Sequence, residues 1–285
     1  MIDLNEKTHI GEVVLNVENL IDMKHFYTEI VGMDIKKEST AAISFGTKED
    51  ETILLTLQKG AISVHTVQSA GLYHFALLLP TRQDLSEILN HILTSGYPLT
   101  GAADHGYSEA LYLDDPEGNG IEIYWDKPKS EWDIRADGQI IGVTEPIDVD
   151  GLIAQAEKLF AGLPSSSSIG HVHLFVTDLT ETDNFYTDLV GLELKFNFGN
   201  QAKFFAAGEY HHHIAANNWA EKGSMAANKG SLGLAYFTII VPVKDDFDRI
   251  QRRLLDKQYD YQLNEKGAIL SLEDTNGIEL KIIHA

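Results

Sequence analysis

Apolar and polar residues alternate over residues 13–17 and again over 172–176, the period-two pattern of a strand with one buried face. Each run is followed by a helical pattern, at 22–30 and at 182–190, that stops at a glycine, Gly32 or Gly191. A second pair of strand patterns lies at 73–79 and 235–241. After the first of these, Leu85, Ile88, Leu89, Ile92 and Leu93 fall on one helical stripe. The turns Gly118-Asn119 and Asn276-Gly277 lead into further short strands. These patterns predict one βαβββ unit used four times, an α+β chain.

The units are copies. Phe26-Tyr27-Thr28-Glu29-Ile30-Val31-Gly32-Met33 returns as Phe185-Tyr186-Thr187-Asp188-Leu189-Val190-Gly191-Leu192, and Ile10-Gly11-Glu12-Val13 as Ile169-Gly170-His171-Val172. Asn119-Gly120-Ile121-Glu122 returns as Asn276-Gly277-Ile278-Glu279. A fixed repeat of this kind predicts two homologous halves, residues 1–129 and 169–285, each of two units. Between them, residues 130–168 form a connector. It is expected to hold a helix over 149–160 and a loose Pro164-Ser165-Ser166-Ser167-Ser168 tether.

Composition narrows the partners. The 285 residues carry a net charge of −21, which repels nucleic acid and anionic membranes. No run of apolar residues is long enough to span a bilayer, and the first residues lack a signal-peptide pattern, so a cytoplasmic location is expected. There is no cysteine, so disulfides are excluded and any metal must sit on histidine and carboxylate.

The repeated βαβββ pattern resembles the vicinal oxygen chelate superfamily, which includes glyoxalase I, fosfomycin-resistance enzymes and extradiol ring-cleavage dioxygenases. The resemblance implies that paired units curl into cup-shaped half-barrel sheets with helices outside. It also implies metal ligands on the opening and final strands of each unit. Those slots hold Glu12 and an apolar run in unit one, and His74 and Glu122 in unit two. Unit three has His171 and the run His211-His212-His213, and unit four has Tyr236 and Glu279. A complete set, His74, Glu122 and His171, arises only if units two and three face each other. That pairing could be made within one chain or across a homo-oligomer. Strand alternation puts His171, His173 and Phe175 on the cup face. Extended to Ile214, it also places His211 and His213 there and turns His212 away. Phe175, Trp219 and Tyr236 are expected to line the pocket, and His173 to be a hydrogen-bonded structural residue.

The run from Asp104 to Tyr124 contains His105-Gly106-Tyr107-Ser108, Tyr112, Asp115-Pro116-Glu117-Gly118 and Glu122. It resembles the end of the catalytic domain of catechol 2,3-dioxygenases. With Gly71-Leu72-Tyr73-His74 and Tyr210-His211-His212-His213, the chain looks like the bacillus-type subgroup. The resemblance implies that Glu122 is a metal ligand and that His105 and Tyr112 handle protons. It further implies an acid–base catalyst at His213 or its neighbour His211. The expected activity is cleavage of a small aromatic diol by O2 on Fe(II), with Mn(II) as an alternative ion. One rival is a glyoxalase-like lyase or isomerase with His213 as fourth ligand to Zn or Ni. The other is a metal-free binding module.

Overall fold

Two eight-stranded sheets share the four units in an order that crosses the sequence halves. The computed structural model describes residues 4–60, 70–220, 226–227 and 229–285. The first unit runs through the strand His9–Val17, the helix Leu20–His25 with its π-helical continuation Phe26–Ile30, and the strands Asp34–Glu38, Ala42–Gly46 and Leu55–Lys59. The second has the strand Gly71–Leu79, the helix Arg82–Ser95, and the strands Gly101–Asp104, Ser108–Asp114 and Gly120–Asp126. The third repeats the first with Ser168–Phe175, Leu179–Asn184 passing into Phe185–Val190, then Glu193–Phe198, Ala202–Ala206 and Ile214–Asn217. The fourth has Gly233–Ile240, the helix Lys244–Asp256, and the short strands Gln262–Leu263, Ile269–Glu273 and Glu279–Ile283.

Opening strands make the joints. His9–Val17 pairs antiparallel with Gly233–Ile240, joining units one and four. Ser168–Phe175 pairs antiparallel with Gly71–Leu79, joining units two and three. The crossed pairing is therefore made within one chain. Each sheet turns one apolar face to the helices. In the Gly71–Leu79 strand Phe75, Leu77 and Leu79 pack into the main core, while His74, Ala76 and Leu78 take the other side. The Arg82–Ser95 helix buries Leu85, Ile88, Leu89 and Ile92; Leu93, at the edge of its stripe, is half-exposed.

The helices expected at 22–30 and 182–190 begin earlier, where side chains cap them. Asn19 accepts from the N–H groups of Ile21 and Asp22, and Asp178 from those of Thr180 and Glu181. Their π-helical ends carry Tyr27 and Tyr186, both fully buried. Tyr27 donates to the Asp115 carboxylate at 2.9 Å, and Tyr186 to that of Asp274 at 3.4 Å. Asp115 also accepts from the N–H groups of Glu117 and Asn119. Asp115, buried at the base of an otherwise largely exposed turn, thus latches unit one to unit two.

The connector helix is shorter than expected: of residues 149–160, only Val149–Ile153 is α-helical. Ser86 and Asn90 of the Arg82–Ser95 helix donate to the carbonyls of Leu152 and Ile153. The same carbonyls also accept the N–H groups of Gln155 and Ala156, in the tighter three-residue turns that close the helix. Nor is the tether wholly loose. Leu163 donates to the Gly32 carbonyl, and Thr47 donates to that of Ser165. Among the described residues, no helix is long and apolar enough to cross a membrane.

Candidate metal centre

Three adjacent strands deliver three donors to one point. Glu122 comes from Gly120–Asp126, His74 from Gly71–Leu79, and His171 from Ser168–Phe175. Two glycines allow the strands to close up there. A Cβ at Gly120 would collide with the Tyr73 carbonyl, and one at Gly170 with the Tyr124 hydroxyl. His74 Nε2 lies 3.0 Å from Glu122 Oε2, His171 Nε2 lies 3.1 Å from the same oxygen, and the two nitrogens are 3.3 Å apart. All three side chains are buried.

The triangle fits a divalent ion better than it fits hydrogens. Two N–H groups donating to one oxygen would have to face each other at the observed separation. An ion at about 2.1 Å from each donor, with right angles between them, needs donor separations of about 3.0 Å. Two imidazoles and one carboxylate on one face of an ion are the donor set of non-haem Fe(II) oxygenases. The electrostatics agree. Burial opposes ionisation of Glu122, yet the His171 and His74 rings hold its carboxyl well below the usual range. Burial pushes the His171 imidazole down to about 4, against the pull of Glu122, so it stays neutral and free to ligate. Its Nδ1 has no partner, and the ring is held by packing, 4.1 Å from that of His212 and 5.0 Å from that of Tyr124.

This group of donors is the only one of its kind among the described residues. In the sister sheet, Glu12 instead accepts a 2.5 Å hydrogen bond from Thr56, and Lys281 lies 3.4 Å over the Tyr236 ring. Tyr236 therefore belongs to the other sheet and does not line the pocket, contrary to expectation. Trp219 does line it, while Phe175 packs behind Tyr73 with ring centroids 5.0 Å apart.

The donors open on a cavity of about 700 Å³. His105 and Tyr112 share it, joined at 2.6 Å between Nε2 and the phenol oxygen. The Val143 carbonyl, 2.8 Å from His105 Nδ1, can only accept, so Nδ1 carries the proton. Tyr112 then donates to Nε2. Burial, with the nearby Glu122 charge, keeps the Tyr112 phenol protonated. The connector thus sets the tautomer of a cavity histidine. On the opposite wall, Asn217 accepts the Trp219 N–H through Oδ1, which turns its Nδ2 to donate to His173 Nε2 at 2.9 Å. His173 is hydrogen-bonded as expected, and it also lines the cavity.

The family model for the Glyoxalase/Bleomycin resistance protein/Dioxygenase superfamily matches residues 9–123 and 168–278. The chain belongs to that superfamily. It is 36% identical over 271 residues to the catechol-2,3-dioxygenase of Bacillus subtilis (strain 168), covering 94% of each chain. It is 26% identical over 162 residues to biphenyl-2,3-diol 1,2-dioxygenase 3 of Rhodococcus globerulus, covering 55% of this chain and 85% of that one. Among solved structures, glyoxalase I from Zea mays shares the fold with a TM-score of 0.57 at 16% identity, over 98% of this chain and 92% of its own. A protein from Bacillus subtilis subsp. subtilis str. 168 does so with a TM-score of 0.66 at 14% identity, over 98% and 86%.

Within this superfamily member the run His211-His212-His213 departs from the alternation argument. The strand begins only at Ile214, and the chain bends at His211 and His213. His212 lines the cavity; His211 and His213 do not. His213 Nδ1 accepts the Ala207 N–H at 3.2 Å. His211 stacks on Tyr107 at 4.2 Å and bonds through Nε2 to Asp126 at 2.8 Å. Asp126 also accepts from Tyr210, which is 2.7 Å from the Tyr124 hydroxyl. This clamp sets the bend. It was not apparent from the sequence, although Asp126 shares the period-two face of Glu122 and Tyr124. Since Asp126 accepts from His211 Nε2–H, His211 Nδ1 is left as acceptor for the His212 Nδ1–H at 2.8 Å. His212 keeps Nε2 free as a base.

The burial of His213 has a measurable consequence. Desolvation pushes its imidazole from the ordinary 6.5 down to about 3. The unfolded chain therefore takes up that proton first. Its contribution is intact above about pH 7 and is lost as pH falls from 6.5 towards 3, on the order of 5 kcal/mol in full. Metal-free protein is expected to lose denaturant stability over this range. His213→Asn, which keeps an acceptor for the Ala207 N–H, should reduce the slope. An unchanged slope in that variant would contradict the assignment.

Proposed function

We propose that the chain is an extradiol ring-cleaving dioxygenase, with a non-haem Fe(II) held by His74, Glu122 and His171, acting on a catechol-type diol and O2. The observation that carries this reading is the convergence of three donors at 3.0–3.3 Å in a cavity shared with His105, Tyr112 and His212. The names of the Bacillus and Rhodococcus relatives point to the same chemistry. A ferrous or manganous ion bound there would supply Lewis acidity towards two adjacent hydroxyls and an electron path from ring to dioxygen.

The protein's own groups then move protons. Tyr112 can accept from a substrate hydroxyl while passing its own proton to His105 Nε2, because Val143 leaves that nitrogen free. His212, rather than His213 or His211, is placed to exchange a proton with the reacting diol or dioxygen. Its Nδ1–H is fixed by His211 and Asp126. Ring opening breaks the carbon–carbon bond beside the diol and puts both oxygen atoms into a muconic semialdehyde-type product.

The glyoxalase-like reading on Zn or Ni needs a fourth donor from His213, and that ring is engaged with Ala207. A metal-free binding module gives no reason for three converging donors. The test is catechol added in air to protein loaded with iron under anaerobic conditions. Uptake of one O2 per diol with a yellow product carrying two labelled oxygens from 18O2 is expected. Turnover of thiol adducts without oxygen uptake would overturn the assignment.

A further inference from the structure

We propose that His173 is a further substrate-binding residue, whose Nδ1–H donates to the diol oxygen lying away from Tyr112. This inference rests on the extradiol reading of the same cavity. Three observations carry it.

The first is a fixed proton. The Trp219 backbone N–H lies 3.0 Å from Asn217 Oδ1, which turns the amide nitrogen to His173 Nε2 at 2.9 Å. That nitrogen can only donate, so Nε2 accepts and the ring carries its hydrogen on Nδ1. Reversing the amide would break both contacts. Asn217 is fully buried, and its backbone is laddered to Ala202 on one side and Phe175 on the other. A second proton on His173, at Nε2, would face the amide hydrogens. The ring is thereby a neutral donor at Nδ1 and not a base.

The second is access. His173 lines the cavity, although it is only 5% exposed. Among the described residues Nδ1 meets no acceptor, and it is not one of the polar atoms sealed from solvent, as His171 Nδ1 is. Tyr73 and His74 stand nearly perpendicular to the ring, each with centroids 4.9 Å away, and limit its rotation. A donor held in this way loses little freedom when a ligand arrives.

The third is position. His173 is the register partner of His74, and Tyr112 that of Glu122. In the strand order those two metal donors lie between them, so His173 and Tyr112 flank the centre from opposite sides. The two walls differ in chemistry. Tyr112 gives its hydrogen to His105 Nε2 and offers lone pairs to a hydroxyl. His173 offers only a hydrogen, and favours an oxygen that has lost its own. The two oxygens of a diol seated there are therefore told apart.

The experiment is anaerobic titration of the iron-loaded protein with 4-nitrocatechol, whose visible spectrum reports its ionisation, over a range of pH. Affinities are taken per iron bound. His173→Phe keeps a ring and removes the donor. His173→Asn gives up the ring but puts an amide nitrogen near the place of Nδ1. We expect the Phe variant to bind the probe about 10–100-fold more weakly, the range for a lost hydrogen bond to a charged group. The pH at which the bound probe ionises should rise by about one to two units in the same variant. His173→Asn should recover most of both effects. The reverse pattern, with binding kept by Phe and lost by Asn, makes the ring a packing element and overturns the inference. Parental affinity and ionisation in both variants overturn it as well. The extradiol reading stands in either case. Failure of the parent protein to bind the probe overturns both.

Discussion

His171→Ala is expected to abolish iron retention and ring cleavage together. The ring supplies one of three donors, so its loss leaves one imidazole and one carboxylate. Disturbing a residue that merely supports a ligand weakens metal binding by about 10–100-fold, and removing a ligand itself should exceed that. Metal content after anaerobic desalting should therefore fall from one ion per chain to near zero, with oxygen uptake at background. The side chain is 2% exposed, so the metal-free variant should be compared with the metal-free parent by denaturant unfolding. A loss of up to about 3 kcal/mol is expected there from the cavity and lost packing. Global unfolding can then be told apart from loss of the site. Parental iron content in a folded His171→Ala protein would end the proposed coordination. Glu122→Gln gives a sharper version, because it keeps shape and hydrogen-bonding capacity while removing the charge that balances the ion.

The repeat made most of the fold legible. Copies of Phe26-Tyr27 at Phe185-Tyr186 and of Glu122 at Glu279 fixed the number of units. The uneven distribution of histidine and carboxylate among them selected the crossed pairing, since only units two and three supply a full donor set. Period-two alternation was enough for the orientation of His74, His171 and Glu122, because each lies inside a strand and has a ladder partner in a neighbouring strand. The same rule misassigned residues 211–213, which precede the strand. There the orientation follows from the Asp126 contacts to Tyr210 and His211 and from the stacking of His211 on Tyr107. Those contacts join residues 84, 85 and 104 positions apart, and no local pattern encodes them. Tyr236 failed for a related reason. Its strand has the right pattern, but pairing with His9–Val17 puts it in the other sheet. The short connector helix closes in tight turns from Gln155 and Ala156, and its last carbonyls also accept Ser86 and Asn90 of a distant helix.

The bend at 211–213 separates two neighbouring histidines into different tasks, and substitution should separate them in the same way. His212→Gln is expected to keep iron and lower kcat by about 10²–10⁴-fold, the range for loss of a positioned acid–base group. His213→Asn should keep both iron and kcat, because its ring is spent on the Ala207 N–H and does not reach the cavity. Its effect should appear instead in the acid limb of stability. Asp126→Asn should fall between them. The amide can still meet His211, but it no longer requires a proton on His211 Nε2, and so no longer fixes the Nδ1–H of His212. Partial loss of kcat with unchanged iron content is the expected signature, read from oxygen uptake and metal analysis on the same samples. A His213 variant that loses turnover while the His212 variant retains it would return the catalytic role to the residue that simple alternation had favoured.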